Sequence, residues 1–289
     1  MTIFSRLLFH FEILVLLVTS VRICAGTEPC STYVAKVINT SVSITIDGEL
    51  SDWEGIDAPA ETLRHVCISA GEKGEKFKPP TGDKDLSASF RCFVHQDTFY
   101  IAVSVNDDVL VFGEEKFGDR HKDDSVEIYF DGDLAVRQSQ NTALYDHNSH
   151  RNNYEYDKND GQIRLSMDRQ NKVHLGGVGL FGNQLMILPG LWESLGIVAA
   201  IQENATGYTA ELKVPKGVFV SAPLQFGVTV GFNVMINDDD NGGNRDSKIS
   251  WSPDLYDQSW FRTEMFGKLI IQPQHEETAS RDFKPELKK

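Results

Sequence analysis

Positive charge is scarce in this chain. Its 289 residues carry 28 Lys and Arg against 42 Asp and Glu, a formal charge of −14. Such a surface is a poor match for nucleic acid, whose phosphates need Lys and Arg, and for an anionic membrane face. It suits a neutral ligand or a divalent cation. Enzyme signatures are missing too: there is no G-x-S-x-G, no H-E-x-x-H and no phosphate-cradling glycine loop. A glycosidase needs two carboxylates at a set separation, but a chain this acidic offers many pairs by chance, so no catalytic residue is assigned. The N-terminal apolar run "ILVLLVTSV" (13–21) is too short for a bilayer, and Glu12 interrupts it upstream. Behind Arg6 it reads as a secretory signal, residues 1–26, with cleavage after Ser20, Ala25 or Gly26. The expectation is a secreted or periplasmic protein with no membrane segment after cleavage. Cysteine is sparse, four in all. In an exported chain a disulfide is expected, and Cys67 and Cys92 are the favoured participants.

Helical periodicity is absent as well, and a period of two takes its place. "SASFRCFVHQDTFYIAVSVNDD" (87–108) reads as two strands around a tight turn. In "DDSVEIYFD" (123–131), Val126, Ile128 and Phe130 alternate with Glu127, Tyr129 and Asp131, so the two sets lie on opposite faces. "GQIRLSM", "GIVAAIQENATGYTAELKVP", "FGVTVGFNVMIND", "KISW" and "GKLIIQ" continue the pattern. Short strands between turn signals predict an all-β, antiparallel β-sandwich, jelly-roll-like with immunoglobulin-like layers. One domain is predicted over residues 30–272, with surface insertions at 69–84 and 137–153 and a disordered tail at 273–289. The sequons at Asn39 and Asn204 mark a glycoprotein wherever the host glycosylates.

Seven segments occur here in one order: "ITIDGELSDWEGID", "TFYIAVSVNDD", "KDDSVEIYFD", "NDGQIRLS", "GYTAELKVP", "GFNVMINDDD" and "ISWSPDLYDQSWFRTEMFGKL". In that order they resemble family 9 carbohydrate-binding modules. The resemblance implies a sandwich that binds β-glucan, xylan or their chain ends without catalysis. It also implies structural calcium and, as a partner, a glycoside hydrolase to which such modules are often attached. In that family a sugar ring lies between two tryptophans. One corresponds to Trp260; the place of the other holds His121. The polar contacts carry over to Glu127, Arg164 and Asp257, the last where an Asn is more usual.

Elementary chemistry supports these residue types. A pyranose has an apolar face for an aromatic ring and a rim of hydroxyls for charged groups. Glu accepts and Arg donates, so the two together read hydroxyls of opposite role. A bare Glu127–Arg164 ion pair is the plain alternative. Trp251 reads as core, Trp53 as packed beneath a turn, and Trp192 as a candidate second aromatic. For a cation, "NDDDNGG" (237–243) offers Asp238, Asp239, Asp240 and Asn241; it is no EF-hand, since Lys248 falls where the closing Glu would be. Asp107, Asp108, Asp123, Asp124, Asp131 and Asp133 are alternative ligands. Two other functions remain: a haem-carrying electron-transfer sandwich using Met167 or Met235, or an adhesive surface protein with a degenerate sugar site.

Overall fold

The computed structural model describes residues 31–71, 73–113, 116–134, 156, 158–181, 184–186 and 189–273. The expected signal, Cys24, Cys30, the tail beyond 273 and the whole of the 137–153 insertion lie outside these residues. Among the described residues, fifteen strands account for nearly all the regular structure, and the one α-helix is four residues long (Leu191–Ser194). The strands are β1 (Thr32–Val37), β2 (Glu61–Thr62), β3 (His65–Val66), β4 (Leu86–His95), β5 (Thr98–Asp107), β6 (Ser125–Asp131) and β7 (Asp160–Met167). They continue with β8 (Val173–Gly176), β9 (Gly179–Phe181), β10 (Gln184–Met186), β11 (Val198–Asn204) and β12 (Gly207–Pro215). The last are β13 (Thr229–Asp238), β14 (Ser247–Ser250) and β15 (Gly267–Pro273).

Hydrogen bonding runs β10-β9-β7-β6-β13-β15-β1-β4-β5-β12-β11. The path folds back on itself, so β7, β6 and β13 face β4, β5 and β12 across one core. Aromatic rings cross that gap: Phe90 on β4 lies 5.6 Å from Phe232 on β13, and Phe99 on β5 lies 5.2 Å from Phe130 on β6. The chain is therefore the all-β sandwich its alternation predicts. Its pairing is not wholly antiparallel, because β1 runs parallel to both β15 and β4 and joins the two layers.

Both outer faces are roofed by chain. Over β4, β5 and β12 lies the 42–58 segment, whose Trp53 is fully buried against Phe93. Trp53 donates to Glu211 Oε1 (2.7 Å), and Arg91 caps the carbonyls of Trp53, Ile56 and Ala58. Trp251 is core, as expected. Trp192 is core too, packed on Phe219 and donating to the Gly176 carbonyl, which removes it as a second aromatic wall. The expected Cys67–Cys92 disulfide is not formed. Both thiols are free and buried, Cys92 in the central core and Cys67 in the outer cluster around Tyr129. The turn "HQD" sits between β4 and β5 with Gln96 and Asp97 in the left-handed region.

Candidate saccharide site and acidic cluster

Strand β6 lies between β7 and β13, with Glu127 opposite Arg164 on one side and Met235 on the other. Period-2 geometry sends Val126, Ile128 and Phe130 into the core and Glu127 and Tyr129 to the outer face. That outer face is not solvated. Every residue of β6 and β7 is buried, and Glu127 is 1% exposed. The 251–266 segment, Cys67, Phe77 and Tyr156 pack over it, with Trp260 half-buried at the margin of the same cluster.

Strand β14 supplies the partner that the sequence reading passed over. Ile249 points to the core, so Lys248 faces the Glu127 side. Its Nζ donates to Glu127 Oε2 and to Asp257 Oδ1, both at 2.6 Å. Arg245 closes the network, donating to Asp257 Oδ2 (2.6 Å) and Asn237 Oδ1 (2.8 Å). Tyr129 OH donates to Glu127 Oε2 at 2.6 Å and accepts from Gln162 Nε2 at 3.1 Å. The Glu127–Arg164 ion pair weighed as the alternative is replaced by one between Glu127 and Lys248. Alternation in "KISW" was the available signal, since any residue flanking a core Ile249 must face the other way.

The loop carrying Asp257 and Trp260 is shaped by Asp254, whose carboxylate accepts the N–H groups of Tyr256, Gln258 and Ser259. Asp257 itself adopts φ 49°, a left-handed conformation that Asn and Asp tolerate better than most residues. Gly176 makes room for Arg164: a Cβ there would lie 2.8 Å from Nη2.

Charge decides the protonation states. Burial works to raise the Glu127 pKa, but Lys248, Arg245 and the bonds from Lys248 and Tyr129 outweigh it, holding the carboxyl well below its usual range. Burial works to lower Lys248 and Arg245, yet Asp257 and Glu127 keep both above their ordinary values. Arg164 is lowered, first by burial. His121 is pushed down to about 4 by burial and by Arg245, Arg164 and Lys248, with Glu127 opposing. The imidazole thus feels the charges of Arg164 and Glu127, two of the other four candidates, and its Nδ1 lies 3.1 Å from the Gly118 carbonyl. A carbonyl only accepts, so Nδ1 carries the proton and Nε2 is left as an acceptor. Of the methionines weighed for haem, Met235 lines this outer cluster and Met167 the central core, two separate environments.

A second group of acids gathers at the far ends of β5 and β13. Oxygens of Asp107, Asp238 and Asp240 lie within 4.8 Å of one another, as do those of Asp85, Asp108 and Asp240. Asp238 is fully buried and, among the described residues, neither of its carboxylate oxygens has a hydrogen-bond partner; Asp107 Oδ2 is in the same position. Burial first, and then neighbouring acids, push Asp107 up to about 7 and Asp238 up to about 8. Of the four acidic-run candidates, Asp238 and Asp240 belong to these clusters. Asp239 instead shapes the turn, accepting from the N–H groups of Asn241 and Gly242, while the Asn241 amide bonds Asp246. Asp124 is likewise a staple, accepting from Val111 and Asp239 N–H groups.

The family described as "Carbohydrate family 9 binding domain-like" matches residues 72–274. Among solved structures, a family 9 module from Caldicellulosiruptor kristjanssonii in complex with cellotriose superposes with TM-score 0.58 at 16% identity, covering 86% of this chain and 97% of that one. The same organism's module in complex with glucose gives 0.57 at 16%, covering 85% and 98%. Identity this low speaks to fold. Curated relatives include exoglucanase XynX of Acetivibrio thermocellus, 25% identical over 78% of this chain. Endo-1,4-beta-xylanase A of Thermotoga maritima is also 25% identical over 78% of this chain. The match spans only 16% and 17% of those two proteins.

Proposed function

This chain belongs to the carbohydrate family 9 binding domain-like family, and on that premise we propose that it binds saccharides, without catalysis, at the Trp260–Glu127 face. The observation that carries this reading is the juxtaposition of a half-buried indole with a buried, hydrogen-bonded network of Glu127, Asp257, Lys248 and Arg245. Trp260 supplies the apolar platform. Glu127, Arg164 and Asp257 address ring hydroxyls, and His121 Nε2 takes the place of an aromatic wall with a flat ring and an acceptor. Positions held by this many bonds cost little to order on binding. The saccharide class is β-glucan or xylan, the latter in keeping with the xylanase names of the relatives. We also propose a glycoside hydrolase partner and a secreted or periplasmic location; the names of the same relatives and the signal expected at residues 1–26 support this reading. Glycosylation belongs at Asn39 and Asn204, both exposed. Calorimetry with soluble cello- and xylo-oligosaccharides tests the reading. Trp260→Ala is expected to cost roughly 2 kcal/mol, as for a buried aromatic hot spot; unchanged affinity would remove Trp260 from the site.

Calcium is the proposed structural cofactor. Hard cations take carboxylate oxygens from loops, and the two partnerless oxygens of buried Asp238, beside Asp107 and Asp240, fit that chemistry. Asp85 and Asp108 would extend the ligand set. A bound cation supplies the positive charge these crowded carboxylates lack.

A second reading is favoured by the way Lys248 and Arg245 already occupy Glu127 and Asp257. A self-satisfied site of this kind suits an adhesive or structural surface protein. A broad glycan panel with no binding would select it over the first reading.

A further inference from the structure

Cations gather at the candidate saccharide site of a molecule that is acidic overall. Glu127 and Asp257, the two carboxylates that touch the network, are both engaged by Lys248 and Arg245. Two further cations lie on the same side. Arg164 stands opposite Glu127 on the neighbouring strand and is 6% exposed. Arg120, the residue before His121, is 8% exposed. Its Nε and Nη1 are buried without a hydrogen-bond partner among the described residues, and it lies near enough to Arg164 for the two guanidiniums to repel. The Asp254 oxygens accept from backbone N–H groups of their own loop.

A buried cation with open donors is costly to keep and is stabilised by an incoming anion. Guanidinium is the group best suited to a planar carboxylate or a sulfate, which it grips through paired N–H donors. A neutral glucan or xylan has no such group. We infer that the saccharide taken at this site carries an anionic substituent, a uronic carboxylate or a sulfate ester, received by Arg120 with Arg164 beside it. This rests on the reading of the Trp260–Glu127 face as a saccharide site and narrows its ligand class.

The test uses the full chain in calorimetry against oligosaccharides of equal length. One arm is neutral xylo- and cello-oligosaccharides, one carries glucuronic or galacturonic acid, and one carries sulfate. An acidic arm should bind roughly tenfold tighter at low salt, with the gap closing as salt rises. Whichever of the two acidic arms binds identifies the group. Arg120→Gln should bring the acidic-to-neutral affinity ratio towards one, and Arg120→Lys should restore part of it, each variant first shown to melt cooperatively. Neutral sugars binding as well as acidic ones would overturn this inference and leave the saccharide reading intact. An unchanged ratio in Arg120→Gln would overturn the role of Arg120. Failure of every sugar to bind would overturn both readings.

Discussion

Removing one amino group should expose the energetic structure of this site. In Lys248→Met the methylene volume is largely kept, but Glu127 and Asp257 lose a cation that sits 2.6 Å from each. All three side chains are 2% exposed or less, so water cannot replace it. Asp257 keeps Arg245 and Glu127 keeps only the Tyr129 hydroxyl as a direct donor among the described residues. Stranding a buried charge in this way costs about 3–5 kcal/mol. For a domain of this size that is a fall in melting temperature of roughly 6–20 °C. The dependence on pH gives the sharper signature. In the wild type the depressed Glu127 pKa contributes stability above the unfolded carboxyl value, lost only as pH falls through the folded one. In the variant, burial is opposed mainly by Arg245, so protonating Glu127 relieves the strain and the deficit should shrink as pH falls towards about 4. Urea unfolding of both proteins across that range measures it. Glu127→Gln placed in the Lys248→Met background should recover part of the loss. A deficit below about 1 kcal/mol at neutral pH, or one indifferent to pH, would refute the assignment of Lys248 as the counter-charge of this network.

The remaining expectations are briefer. His121 has its folded pKa lowered to about 4, so the unfolded chain takes up the proton first. Stability is therefore complete above about pH 6.5 and declines by about 2–3 kcal/mol as pH falls to 4; His121→Phe should flatten that slope, and an equal slope in both proteins would show that His121 is not the group responsible. Calcium at about a hundredfold excess over its dissociation constant should add about 3 kcal/mol of unfolding free energy, read as a melting temperature that drops with chelator and returns with metal. Asp238→Asn should abolish that response, and a melting temperature indifferent to chelator would remove calcium from the fold.

Much of the architecture was legible because alternation is a local property. The faces of β4, β5, β6 and β12 could be read from residues two apart, and Trp251 and Trp53 were placed correctly by the patterns beside them. Other features were hidden because their causes are distant in sequence. The polar face of β6 reads as solvated until the 251–266 segment is folded over it. Trp192 stands in an uninformative stretch, "PGLWES", and its burial depends on Phe219 and on the Gly176 carbonyl. Cys67 and Cys92 were favoured for a disulfide on the expectation of an exported chain, but they lie in different hydrophobic clusters, and no spacing rule reveals that. The acidic run at 237–243 is visible in the sequence, but three of the five clustered carboxylates, Asp85, Asp107 and Asp108, come from the turn before β4 and the end of β5, which only sheet pairing brings near.

By itself, then, the sequence determined the sandwich, its inward-facing residues and the surroundings of Glu127 along its own strand. The tertiary structure decided what that carboxylate does. Its counter-ion, Lys248, is 121 residues away, and the loop that places Asp257 and Trp260 beside it follows the next strand turn. The physical reason is range. Side-chain alternation is set by the chirality and pleat of the backbone over a few residues, whereas a buried charge is stable only where the folded chain brings an opposite charge within bonding distance.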